Sequence, residues 1–150
     1  LYLGRSYRLR FVDKQDEPLK LVAGRFNLRR NALPVAREKF IHWYSIRGHA
    51  WLKDKIEAHA PVIGVCPAEM RVQDLGYRWG SCGKGRRLYF HWKTMLLPRS
   101  IAEYVVVHEL VHLHEPHHTG AFWSKLERAM PDFDRRKAWL AKQGRLVDAI

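Results

Sequence analysis

Cysteine is scarce in this 150-residue chain, and the two present, Cys66 and Cys82, stand in no CxxC or zinc-finger spacing. That pattern excludes a disulfide framework or structural zinc cluster and implies reduced thiols. Long apolar runs are missing too: stretches such as Val105 to Val107 fall far short of the roughly 20 residues that span a bilayer. No charged-then-apolar leader opens the chain, so a cytoplasmic protein with no membrane association is expected. There is no P-loop, no internal repeat and no low-complexity segment. Negative charge is thin as well, with 15 Asp and Glu against 27 Lys and Arg, for a formal charge of +12. The whole excess lies in residues 1 to 100, which points to an anionic partner such as DNA or a nucleotide; the plainer reading is a solvated basic face.

The length suits one domain over residues 1–150, able to bury a core without metal support. Tyr7, Leu9 and Phe11 alternate with Arg8 and Arg10, the period of a half-buried strand. A hairpin over about residues 5–28 is expected, turning at Asp13 to Pro18 and returning from Leu19 to Leu28. A long amphipathic helix should run from Pro34 to about His59, weakened at Gly48 and ended by Pro61 and Gly64. Strands around Met70 to Asp74, within Tyr77 to Cys82 and over Leu88 to Lys93 follow, with a turn at Gly83-Lys84-Gly85. Ser100 and Glu103 match a capping box opening a helix that is apolar nearly all round and belongs in the domain centre. Pro116 should stop it near His114 or Glu115. Helices over about Ala121 to Ala129 and Phe133 to Lys142 complete a catalytic core of about residues 34–145.

That central helix carries His108-Glu109-Leu110-Val111-His112. Residues four apart on a helix differ by about 40° around the axis, so both imidazoles can grip one ion, and Glu109 is placed to act on a water held there. At this chain's composition an HExxH arises by chance about 0.03 times. Burying two His and one Glu in the most apolar helix costs several kcal/mol unless metal and hydrogen bonds compensate, so the pattern makes sense as a site. A third ligand must come from elsewhere. His114 would point away at about 200° from His112. His118 can be brought back by the turn at Pro116, and His117 and Glu115 are its rivals.

Several segments together resemble the YgjP-like metallopeptidase domains, themselves similar to SprT-like zinc proteases. They are Arg78-Trp79-Gly80-Ser81-Cys82, Leu88 to Trp92, Tyr104 to Leu113, His118 with Phe122-Trp123, and Pro131-Asp132. The resemblance implies a zincin-like α+β fold, with a small, mostly antiparallel sheet packed on the long N-terminal helix and the buried HExxH helix. It implies one Zn2+ per chain on His108, His112 and His118, with Glu109 as catalytic acid/base. The chain departs from the family pattern at His117 in place of Asn, Thr119 in place of Ser and His91 in place of Asn; His91 reads as a structural replacement.

Trp79, Gly80, Ser81 and Cys82 are candidate substrate contacts, as a strand edge that aligns an extended peptide. Against that, Trp79 reads as a core anchor and Gly80 as a close-packing position. Phe122, Trp123 and Trp139 read as core. The expected activity is metal-assisted hydrolysis of a peptide or protein. The alternatives are a metal-dependent hydrolase of nucleotides, acting on the phosphoanhydride bond, and a DNA-associated protease.

Overall fold

The computed structural model describes residues 1–148, so the last two positions of the expected 1–150 domain lie outside the described residues. Three short strands come first: β1 (Arg8–Val12), β2 (Leu19–Val22) and β3 (Arg25–Arg29). A 3-10 turn (Arg30–Val35) leads into α1 (Ala36–Ile63). Then come β4 (Glu69–Gln73), β5 (Gly80–Gly83), β6 (Arg87–His91) and a second 3-10 turn (Trp92–Leu96). The chain continues with α2 (Arg99–His112), α3 (Gly120–Ala129) and α4 (Phe133–Asp148). The α+β class is as expected.

The sheets differ from the expectation of one mostly antiparallel sheet. There are two, ordered β1-β3-β2 and β4-β6-β5, and each joins one parallel pair to one antiparallel pair. The expected β1–β2 hairpin is also replaced. The stretch Leu19 to Leu28 is two strands folded at Ala23 and Gly24, whose φ of 50° and 74° suit the tight hairpin turn that matches strand twist. β1 therefore lies parallel to β3, on the edge away from β2. The connecting loop is pinned by Gln15, whose amide donates to the Asn27 carbonyl at 2.8 Å.

Register decides what each sheet buries. Leu19 pairs with Leu28 and Leu21 with Phe26, so one face of the first sheet turns inward. There Phe26 meets Tyr7, Phe40 and Trp43 edge-on, with ring centroids 5.8, 5.3 and 4.9 Å away. α1 buries Tyr44, Gly48, Leu52, Ile56 and Ala60, a stripe at helical spacing. It runs through Pro61 and stops at Gly64, whose left-handed φ of 83° lets its N–H reach the Ala60 carbonyl at 2.9 Å. Gly48 has a packing role: a Cβ there would sit 2.8 Å from Met95 Cγ, so glycine lets the second 3-10 turn press against the helix.

α2 is the central element, with Val106, Val107, Leu110 and Val111 completely buried. The expected capping box does not form. Pro98 occupies the N-cap without a side-chain bond, and Glu103 is drawn instead to His59 Nε2 of α1 at 2.6 Å. A tertiary partner has outcompeted the local one. α2 also ends at His112, about two residues before the expected stop. Among the described residues no helix is long and apolar enough to cross a membrane.

Because Phe26 anchors the first sheet to α1 through Phe40 and Trp43, Phe26→Ala should lower stability by about 3–5 kcal/mol. Denaturant unfolding should show the loss, amide exchange should accelerate in β1–β3, and metal stoichiometry should not change.

Candidate metal centre

Helical spacing sets His108 and His112 on one face of α2, and Pro116 turns the chain so that His118, just before α3, closes on them. The three Nε2 atoms form a triangle with sides of 3.2, 3.0 and 3.2 Å. Tetrahedral bonds of 2.0–2.1 Å to zinc put ligand nitrogens about 3.3 Å apart, so the triangle is nearly the face that such an ion needs. The outer nitrogens are held as well. His112 Nδ1 lies 3.0 Å from the Glu115 carbonyl, to which it can only donate, leaving the Nε2 lone pair for the ion. His108 Nδ1 lies 3.2 Å from the Tyr104 hydroxyl, one turn earlier on α2. Burial, then the charges of His112 and His118, push the His108 pKa down to about 3. Burial likewise lowers His112. Neutral rings are the form that binds metal.

Aromatic rings wall the triangle. Phe122 packs 4.4 Å from His112 centroid to centroid, and Trp123 stacks on His118 at 5.4 Å. The expected core role of these two rings therefore includes fixing ligand planes; Trp139, on α4, packs against the core.

Glu109 points to β5. It is 6% exposed, and that burial raises its pKa to about 7. The Cys82 thiol and then Arg78 pull in the opposite direction. Gly80 makes the approach feasible: a Cβ there would lie 2.9 Å from Glu109 Cγ and 3.2 Å from Val105 Cγ1. The Cys82 thiol donates to the Glu109 backbone carbonyl at 3.0 Å, and burial pushes its pKa up, so it rests as a thiol. The three histidines and Glu109 share an open cleft of about 670 Å³ with Gly80, Ser81, Cys82, Lys84 and Arg86.

Neither His117 nor Glu115, the rivals for third ligand, joins the histidine cluster. Glu115 is ion-paired to Lys125 Nζ at 2.7 Å, and His114 faces the Ile63 carbonyl at 3.3 Å. His117 is outside the histidine cluster. Trp79 falls outside the cleft lining: its indole lies against Gly144 of α4, and its carbonyl takes bonds from His91 N–H and Thr94 Oγ1. His91 is buried 3.2 Å from Asp74, away from the metal cluster. Sequence reasoning missed Tyr104 as a partner of His108, although its place four residues before a ligand was a usable signal. It also missed Lys84 and Arg86, which only the β5–β6 turn brings to the cleft.

Three histidines that could hold a metal, two of them on a buried HExxH helix and the third just before α3, form in an α+β domain the layout of a metallopeptidase. The match to known families agrees: residues 1–143 fit the YgjP-like metallopeptidase domain, and the chain belongs to that family. Among solved structures it is similar to the metallopeptidase zymogen abylysin of Pyrococcus abyssi, with TM-score 0.54 and 19% identity. The similarity covers 61% of this chain and 93% of that one, and supports the fold. No curated protein matches.

His118→Ala should weaken metal binding on the order of 100-fold or more, and Tyr104→Phe by roughly tenfold. His117→Ala and Glu115→Gln should leave one equivalent bound, as competition with a chelating indicator would measure.

Proposed function

We propose that the chain is a zinc-dependent peptidase holding one ion on His108, His112 and His118. The near-tetrahedral triangle of Nε2 atoms carries this reading, because an all-imidazole set at that spacing suits zinc. When bound, zinc supplies Lewis acidity, acidifying a water and drawing electron density from a carbonyl.

Glu109 takes the proton from the attacking water and passes it to the leaving amine. Its pKa near 7, raised by burial, suits a group that must both accept and release a proton at neutral pH. Gly80 and the packed helix hold its carboxylate beside the ligands, and the Cys82 thiol ties β5 to the backbone of the same helix. β5 is an edge strand, hydrogen-bonded on one side to β6 and lining the cleft on its way past the histidines. An extended polypeptide can add to that edge through main-chain bonds, with Gly80, Ser81 and Cys82 as its contacts. The family supports a peptide as substrate.

A second reading, hydrolysis of a nucleoside triphosphate, is favoured by one observation: Lys84 and Arg86 give the cleft two cations. Phosphate or pyrophosphate release, assayed beside cleavage of an unfolded protein, separates the two.

Glu109→Gln should keep the metal and lower kcat by at least about 100-fold. Full activity in that variant, with zinc bound, would remove Glu109 from the chemistry. Gly80→Ala should also retain metal but cut kcat about tenfold, since its Cβ displaces the Glu109 side chain.

A further inference from the structure

The outer face of the first sheet carries a charge arrangement that the catalytic site does not use. Strand register places Arg8 directly beside Arg25, and Arg10 beside Asn27. These side chains point away from the face that buries Phe26 and Leu28. Neighbouring strands lie about 4.8 Å apart and alternate residues about 6.6 Å apart, so three guanidinium groups crowd one small area. Among the described residues none of the three is in an ion pair, whereas nearby Lys20 is tied to Asp16 and Arg30 to Asp13.

Like charges at paired positions repel and weaken a sheet, so this arrangement costs stability unless an anion lies across it. The sign of the whole molecule agrees, at +12.

We propose that this face binds the phosphate backbone of duplex nucleic acid without reading its sequence. All three cations are arginine, whose planar fork pairs with phosphate through two bonds. The face presents no aromatic ring, so it lacks the platform on which single-stranded bases stack. A protein partner would need a large desolvated apolar anchor at the centre of its contact, and beside the arginines this face exposes only the small Val22. A duplex meets that need, since it carries one negative charge per roughly 1.7 Å of axis and gains entropy by releasing counterions. The inference is independent of the peptidase reading.

The test measures binding of the full chain to a fluorescent 20-base-pair duplex from about 50 to 200 mM salt. Wild type is compared with Arg8→Gln/Arg10→Gln/Arg25→Gln, and with a control of equal charge loss, Lys53→Gln/Arg128→Gln/Lys142→Gln. Each lost phosphate contact should reduce the slope of log K against log salt by about 0.9, so the arginine triple should lose two to three units of slope and at least tenfold in affinity. The control should keep the wild-type slope within one unit. Equal losses in both variants, no salt-dependent binding by wild type, or tighter binding to anionic phosphatidylserine vesicles than to duplex would each overturn the proposal.

Thermal melting gives a separate readout that also guards against misfolding. Relief of the Arg8–Arg25 repulsion should raise the Tm of Arg8→Gln at low salt, with the gain vanishing at high salt. An unchanged or lower Tm at low salt would contradict the crowding on which the proposal stands.

Discussion

The centre of this molecule is a conflict that a metal ion on the three histidines would resolve. α2 is the most deeply buried helix, yet it carries His108, Glu109 and His112. Imidazole nitrogens crowded to about 3.2 Å repel through their lone pairs unless something positive sits between them. Much of the surrounding structure answers to that requirement. Phe122 and Trp123 pack on the imidazoles and fix their planes, Tyr104 and the Glu115 carbonyl orient His108 and His112, and Lys125 holds the Glu115 carboxylate in an ion pair. Gly80 then lets β5 come close enough to desolvate Glu109.

The two halves of the chain play different parts. The second sheet supplies one wall of the cleft through β5, and its hairpin turn brings Lys84 and Arg86 to the rim. The first sheet is fastened to α1 through Phe26 and contributes no residue to the cleft lining. Both sheets share the same strand order, with the third strand between the first two. No sequence repeat accompanies this likeness. The first sheet buries Phe26 and Leu28 on one face and leaves the other free, which is where Arg8, Arg10 and Arg25 stand.

The site was largely legible in the sequence because its geometry is local. Helical period fixes the relation of His108, Glu109 and His112, and a proline forces the reversal that brings His118 back. The position of Glu115 was less legible, since its carboxylate pairs with Lys125, ten residues beyond it and invisible to spacing. Helix positions followed from apolar periodicity, although a capping box was misread because His59, forty-four residues before Glu103, competes for it. Strand pairing was the weakest point. Alternation in β1 did not yield a half-buried strand, since Leu9 and Phe11 stay 48% and 41% exposed on the sheet edge; nor does it say which strand lies between β1 and β2, and Ala23-Gly24 is an inconspicuous turn. Parallel pairing depends on contacts far apart in sequence, which local propensity does not encode.

X-ray absorption at the zinc edge of the loaded protein reads the ligand set itself. Zinc on His108, His112 and His118 should show three imidazole nitrogens at about 2.0–2.1 Å and one further light atom, with no sulfur shell. A sulfur scatterer near 2.3 Å, which would bring Cys82 onto the metal, or fewer than three imidazoles, would contradict it.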